Sequence, residues 1–427
     1  MRYLLIIFIF FGVKSNTILA QVQPDHTVIV ILENHSYNEI YNSSLAPYIN
    51  SVANDPHTAL LTQSFGLAHP SQPNYLMLFS GSAQGVVNDN VPAVLPFLTA
   101  NVGSSLLQKG FGFTGYSETL PSIGYTGATS GAYARKHNPW VNWQGAGSNG
   151  IPSNLNMPFT AFPSDFSNLP TLSFVIPNQN NDMHNGTITT SIPPGDSWVQ
   201  TNLDSYIQWC KTNNSLFILT FDEDDATQNN HILTFITGEN VRGGNFDQAI
   251  THYNVLRTIE DLYQLPYAGA SNDSAVIRDI WINKEFCNNG SDKLHSNLSG
   301  TNYQWQLNTG GGFYNIIDNA NYTGTNTSSL QLNNIPSFFY GYEYRCVVDG
   351  QNSNSITIRF TDYWNGTVNT AWENPLNWSC GLPDSNTDVI INAGTVILNS
   401  DASVRSVKIK KGVIYTVSSG YKLTVNH

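Results

Sequence analysis

The chain is predicted to be an α/β protein with a mostly parallel central sheet, followed by all-β C-terminal modules. Three observations carry that expectation. Short continuous apolar runs alternate with helical patterns over the first 285 residues, as strands buried on both faces of a parallel sheet require. Beyond residue 285 the texture changes to brief strand-like runs separated by Asn/Gly turns. Only 11% of the 427 residues are charged, 30 acidic against 18 basic for a net −12, while 41% are hydrophobic. That composition can fill sizeable cores and excludes a disordered acidic chain or a coiled coil. So few cations also exclude nucleic acid as the expected partner.

At the N-terminus, Arg2 precedes the apolar run Leu4 to Val13, and small residues lead to a cleavage point after Ala20. Residues 1–20 therefore read as a secretory signal, too short in their apolar core to span a bilayer. No later run approaches ~18 apolar residues, so no transmembrane segment is expected. The expected location is secreted, periplasmic or at the cell surface. Four cysteines, at 210, 287, 346 and 380, allow three full disulfide pairings in an exported chain. Cys210 lies in a helical pattern and is expected to be a buried free thiol.

Residues 21–285 form the expected α/β domain. Its strand candidates are Thr27–Leu32, Ser173–Ile176, Leu216–Phe221 and Ile232–Thr237. Ser197–Lys211 is predicted to be a helix with Asp196 as its N-cap, and Tyr253–Leu262 a second with Pro266 beyond its end. Gly145 to Asn156 reads as a long surface excursion. In residues 286–360, Trp305 lies between Cys287 and Cys346, and Tyr344 stands two residues before Cys346. Cys…Trp…Tyr-x-Cys is the pattern of an immunoglobulin-like sandwich, with a Cys287–Cys346 bridge and Tyr344 as the corner tyrosine. Residues 361–427 read as a small β-rich module.

Chemistry is concentrated just beyond the strands. Glu33-Asn34 follows the first strand, Asp182-Met183-His184 follows the second by a short loop, and Asp222 to Asp225 follow the third. In open α/β sheets, sites form beyond the carboxyl ends of parallel strands. Carboxylates at two such ends can converge on one hard or borderline cation. Ser71, in the stretch His69 to Tyr75, sits at a turn before a helix, where developing negative charge is favoured. A metal-bound hydroxyl there is a nucleophile suited to phosphorus. Among the remaining candidates, Asp224 and Asp225 are expected to bend their loop, His231 to start a strand, His252 to pack or cap a helix, and His69 to be a solvated loop residue.

Six segments in order, Glu33-Asn34-His35-Ser36, HPSQPNYLMLFSG, YARKHNPW, NDMHNG, FDEDD and THYNVLRTIEDL, resemble the secreted acid phosphatase/phospholipase C-like phosphoesterases, a branch of the alkaline phosphatase-like superfamily. The resemblance spans roughly residues 26–266 and implies an alkaline phosphatase-like α/β sandwich. It implies that Glu33, Asn34, Ser71, Asp222 and Glu223 ligate a divalent metal, with Ser71 as the nucleophile that becomes phosphorylated. His137 and His184 would hold phosphate oxygens or protonate the leaving group. Asn34 and Asn74 would contact substrate, and Asp182 would orient His184 or add a ligand. His35 leans towards the acid-phosphatase branch, because phospholipase C-type members usually carry Arg there. The implied activity is hydrolysis of small phosphomonoesters, with phosphodiester or phospholipase C-type hydrolysis as the alternative. An oxygen-rich ligand set suits Mg, Mn, Ca or Fe, with Zn also open.

The run WNGTVNTAWENPLNWSCG followed by DVIINAGTVIL resembles β modules appended to secreted bacterial enzymes. Such modules serve display or adhesion, which implies contact with a cell surface or glycan. A surface binding or adhesion protein is accordingly the rival from a different class.

Overall fold

The computed structural model describes residues 23–426 apart from 297, 299 and 411, so the expected signal segment lies outside the described residues. The first strand, β1 (His26–Leu32), explains why its run is continuously apolar. Val28, Val30 and Leu32 enter the core on one face of the sheet, and Ile29 and Ile31 the core on the other. The other strands that position the site are β2 (Thr58–Phe65), β3 (Phe113–Ser117), β4 (Asn156–Pro158), β5 (Leu172–Ile176), β6 (Ser215–Phe221), β7 (His231–Gly238) and β8 (Gly244–Phe246). Their order across the sheet is β8-β2-β7-β6-β1-β5-β3-β4. All neighbours run parallel except β7, which is antiparallel to both β2 and β6. This is the predicted α/β architecture with a mostly parallel sheet.

Helices cover both faces. The helices α2 (Ser71–Ser80) and α4 (His252–Leu262) pack on one side, and α1 (Pro47–Ala53) and α3 (Ile188–Cys210) on the other. The expected start of α3 is corrected by the structure. The helix begins nine residues before Ser197, with Thr187 as N-cap in a reciprocal bond with Thr190, and runs through Pro193 and Pro194. Asp196 is buried inside it and caps a different helix. Its two carboxylate oxygens accept the amides of Tyr48 (3.1 Å) and Ile49 (2.8 Å) in the first turn of α1. A short polar residue before an apolar run reads as a local cap, yet here the orphan amides belong to a distant helix.

Beyond Trp281 the strand Asn283–Phe286 runs parallel to Ile356–Tyr363, which also pairs with the strand Asp388–Ile391. Two sheets enclose a third core containing Trp305, Tyr322, Tyr344 and Cys346. A fourth core, with Trp364, Trp372 and Trp378, lies under short parallel strands stacked in successive layers. The chain is thus all-β after its α/β part.

The expected Cys287–Cys346 bridge does not form. Cys287 is bonded to Cys380, tying the sandwich to the last module, while Cys346 and Cys210 are buried and free. Cys346 instead pairs in register with Trp305 on the adjacent strand. Among the described residues, Tyr344 makes no main-chain hydrogen bond of the kind a corner tyrosine makes. Its hydroxyl meets that of Tyr322 at 3.2 Å. Among the described residues no helix is long and apolar enough to cross a membrane.

Candidate active site

Three strand ends meet at the carboxyl edge of the sheet. β1 delivers Glu33 and Asn34, β6 delivers Asp222 and Glu223, and β5 leads by a short loop to Asp182. Main-chain bonds join them. The Glu33 amide donates to the Asp182 carbonyl at 2.8 Å, and the Asp222 amide to the Leu32 carbonyl at 3.0 Å. Two residues here take left-handed backbone, Asn34 at φ +48° and Met183 at φ +81°. Such conformations cost of order 1–3 kcal/mol and persist where packing over-determines them. Gly195 supplies part of that packing, because a Cβ on it would lie 2.4 Å from the Met183 side chain.

Ser71 is the first residue of α2, directly after Pro70. Its hydroxyl lies 3.0 Å from Glu33 Oε2 and 3.2 Å from Glu223 Oε1, within donating distance of carboxylates from two strand ends. One turn later Tyr75 donates its hydroxyl to the other oxygen of Glu33. The helix therefore presents two hydroxyls from one face, at i and i+4, to a single carboxylate. Asn74 is buried between its own loop and the acidic cluster. Its Oδ1 accepts the amides of Leu67 and Ala68, and its Nδ2 donates to Ala68 O (2.7 Å) and Glu223 Oε2 (3.4 Å). Asn34 donates Nδ2 to Glu223 Oε1 at 2.9 Å, while its amide donates to Asp222 Oδ1 at 3.2 Å.

Crowding acid groups in a buried place raises their proton affinity. Burial first, then the charges of Asp222 and Asp182, hold Glu33 well above the usual carboxylate range. Burial and the neighbouring Glu223 do the same to Asp222, and burial lifts Asp182 to about 6. Among the described residues, several polar atoms at this centre are sealed from solvent and lack a well-aligned hydrogen bond: Asn34 Oδ1, Asp182 Oδ2, Asp222 Oδ2 and His137 Nε2. Unpaired buried polar atoms are costly, and the three oxygens among these four are of the donor type that could hold a hard cation. Among the described residues no three His, Cys, Asp or Glu side chains are yet arranged as a cation cage. Glu33 and Glu223 are instead turned onto Ser71, Tyr75, Asn34 and His69.

The histidines divide. His137 is buried, stacked on Tyr75 at 5.2 Å, with Nε2 3.2 Å from Glu33 Oε1 and Nδ1 3.6 Å from Asp182 Oδ2. Burial and the nearby Lys136 charge hold it well below its ordinary value. His184 is exposed, and Asp182 accepts its main-chain amide at 3.0 Å, not its ring, which meets Asn185. The implied orienting of the His184 imidazole by Asp182 is therefore replaced by a grip on its backbone. Asp182 turns its second oxygen towards His137. The remaining expectations for Asp224 and His231 hold. Asp224 accepts the amides of Ala226, Gln228 and Asn230, and His231 stacks on Tyr37.

One participant, Tyr75, is not singled out by sequence reasoning, and His69 and His252 do more than the solvated and packing roles expected of them. Tyr75 looked like one more apolar position in a helical run. His69 lies with Nδ1 2.8 Å from Glu223 Oε2 and Nε2 3.4 Å from Asp224 Oδ1, so its ring touches two acids at the rim. His252 reaches the Asp222 carbonyl with Nε2 at 2.6 Å, securing the strand end that bears two acids. Only His69 and His252 carry a sequence signal, being histidines adjacent to motif residues.

Residues 39–266 match the model of the Phosphoesterase family. A phosphatidylinositol-3-phosphatase of Mycobacterium tuberculosis is 45% identical over 261 residues, which are 60% of this chain and 82% of that protein. An acid phosphatase of Aspergillus fumigatus is 32% identical over 240 residues, so the chain spans about half (53%) of this fungal relative's length. Among solved structures, a protein of the alkaline phosphatase superfamily from Vibrio parahaemolyticus superposes with a TM-score of 0.45 at 10% identity, over 77% of this chain and 80% of that one. With more than half of its length matching the family model and strand-end acids gathered around a helix-initial serine, the chain belongs to the Phosphoesterase family and is a hydrolase acting on phosphate esters.

Proposed function

We propose that the chain is an exported, metal-dependent phosphomonoesterase of the acid phosphatase type that works through a phosphoserine at Ser71. The observation that carries this reading is the placement of Ser71 Oγ between Glu33 Oε2 and Glu223 Oε1. A hydroxyl within donating distance of two carboxyl groups can give its hydrogen to one of them as the oxygen attacks. The names of the relatives, a phosphatidylinositol phosphatase and an acid phosphatase, favour removal of a terminal phosphate over cleavage of a diester. Export is supported by the Cys287–Cys380 bond, which persists in an oxidising compartment, and by the N-terminal sequence pattern.

Glu33, Asn34, Asp222 and Glu223, with Ser71, are the residues that would hold the divalent cation, and the unpaired Asn34 Oδ1 and Asp222 Oδ2 fit that task. Bound there, the cation would neutralise phosphoryl oxygens and lower the pKa of the serine hydroxyl. Mg, Mn, Ca, Fe and Zn are all compatible with the donor types. Ser71 Oγ forms the new bond to phosphorus as the ester oxygen leaves, and its proton passes to the adjoining carboxylate. His137 and Asn74 steady the phosphoryl oxygens from the buried side. Exposed His184, in contact with water, supplies the proton to the leaving alkoxide. Water then cleaves the phosphoserine, releasing phosphate and restoring the hydroxyl.

Ser71→Ala tests the reading with p-nitrophenyl phosphate. Activity should vanish while the fold is retained, and full activity would overturn the nucleophile assignment. Rates on bis-p-nitrophenyl phosphate should be far lower than on the monoester; the reverse order would favour the diesterase alternative. The β modules take no part in this chemistry, and attachment to a surface or glycan remains their proposed role.

A further inference from the structure

A cavity of about 180 Å³ is lined in part by exposed residues, Asn90, Val91 and Thr129, so solvent reaches it. Its lining also includes Gln72 and Arg135, both buried. Arg135 is 2% exposed, yet among the described residues its Nε and Nη1 have no hydrogen-bond partner. Its Nη2 has only the Val141 carbonyl at 3.5 Å, longer than an ordinary N–H···O bond. A buried guanidinium in the wall of a solvent-reached cavity thus keeps free donors on two of its nitrogens.

The charges around this cavity do not balance. Its one lining acid is Asp89, and both of that carboxylate's oxygens are taken. Oδ2 lies 2.7 Å from Lys136 Nζ, and Oδ1 accepts the Gln72 amide at 3.0 Å. Gln72 secures the arrangement by donating Nε2 to the carbonyls of Asn88 and Asn90, both at 2.8 Å, on either side of Asp89. With Lys136 answered by Asp89, the charge left over is that of Arg135, which no acidic side chain pairs among the described residues. The main chain keeps Arg135 in place: its amide donates to the carbonyl of Ala128, another lining residue, at 3.0 Å.

Burying an ion without a counter-charge is costly, and an arginine in that state calls for an anion. The chain has 30 acidic residues against 18 basic ones, so acids are not scarce, yet none is placed to answer this charge among the described residues. An oxyanion entering from solvent supplies the missing charge and accepts the free N–H groups in charge-assisted bonds. The volume suits a small group, since one water takes about 30 Å³ of liquid. A phosphate or carboxylate fits there, with a few attached atoms.

We propose that this cavity is an anion-binding site in which Arg135, with Lys136 beside it, receives a phosphate or carboxylate group. That group is either free phosphate or a second acidic substituent on the ester being hydrolysed, and two arms of one experiment separate the sources. Both arms use the full chain and Arg135→Met, which should fold because it removes an uncompensated buried charge. In the first arm the proteins are stripped of metal by chelation and gel filtration, so the acid cluster at Ser71 has no cation with which to hold phosphate. Unfolding temperature is then followed in sodium phosphate against sodium chloride at equal ionic strength. Phosphate should stabilise the unmodified chain, and its half-saturating concentration should rise by about tenfold or more in Arg135→Met. Arg135→Lys, which keeps the charge with fewer donors, should lie between them. In the second arm the metal-loaded proteins hydrolyse glucose 1,6-bisphosphate and glucose 6-phosphate. A preference for the bisphosphate that Arg135→Met loses puts the anion on the substrate; a preference unaltered by the variant, with the first result intact, assigns the site to free phosphate. No stabilisation of the unmodified chain by phosphate, or equal stabilisation of the unmodified chain and Arg135→Met, would overturn the proposal. The first arm needs no turnover, so its failure leaves the phosphoesterase reading intact. Phosphate binding without hydrolysis of any ester would overturn that reading and leave the anion site standing.

Discussion

Tyr75 donates its phenolic hydrogen to Oε1 of Glu33, whose other oxygen faces Ser71 one helical turn earlier. The carboxylate at the end of β1 is thereby fixed by two hydroxyls from α2, and the Tyr75 ring carries His137 on its face. A single residue thus links the acid, the nucleophile's helix and the buried histidine.

Tyr75→Phe keeps the ring and the stacking and removes only that hydrogen bond. In metal-free protein, Glu33 then loses a partner while remaining buried, and stability should fall by about 1–3 kcal/mol in urea unfolding. Activity should fall by ~10–100-fold, the range for partners that orient a site carboxylate. Unchanged stability together with unchanged activity would show that the contact has no role.

Asp222 offers one oxygen to the Asn34 amide and leaves the other unpartnered. Asp222→Asn removes the charge while preserving shape, so metal recovered by elemental analysis after gel filtration should drop, with binding weakened at least ~10-fold. Chelation should lower the unfolding temperature of the unmodified chain, because a cation at a hundredfold its Kd stabilises by ~2.7 kcal/mol. Metal stoichiometry identical in both proteins would place the ligands elsewhere.

Glu285 is buried where the α/β part meets the sandwich and accepts from Thr361 (3.0 Å) and Tyr363 (3.3 Å). Burial raises its pKa from 4.5 to about 8. Between those values the folded chain holds a proton that the unfolded chain has released. Its contribution to stability is full below about pH 4.5 and lost as pH rises to about 8. The slope from one such proton reaches at most ~1.4 kcal/mol per pH unit. Glu285→Gln should flatten the fall in unfolding temperature over this interval, and an unaltered slope would contradict the assignment.

Cys287 and Cys380 close a loop across a sequence separation of 93 residues. Replacing both with Ser should cost ~2–4 kcal/mol in stability. The native protein should show no thiol reactive to a bulky reagent, since Cys210 and Cys346 are buried. One readily titrated thiol in the folded chain would contradict this pairing.

Much of the site was legible because its residues are acids placed directly after apolar runs. Glu33, Asp222 and Glu223 announce themselves as the first charges after β1 and β6. β2 and β3 were less legible. TALLTQSF mixes polar and apolar residues, and FTGYS has at its centre Gly115, where a Cβ would lie 2.0 Å from the Trp140 ring. The cap role of Asp196 depends on a helix some 150 residues away, which no local pattern contains. Tyr75 was hidden for a related reason: its hydroxyl gains meaning only once β1 brings Glu33 alongside α2. The cysteine pattern misled because spacing does not determine which sulfurs the fold brings together.

The central claim is a covalent phosphoserine, and it is tested most directly by rapid acid quenching of metal-loaded enzyme during turnover, followed by peptide mass spectrometry. Phosphate is expected on Ser71, in the peptide containing His69 to Tyr75, and none in Ser71→Ala. An active enzyme with no phosphopeptide, or with phosphate on another residue, would contradict it.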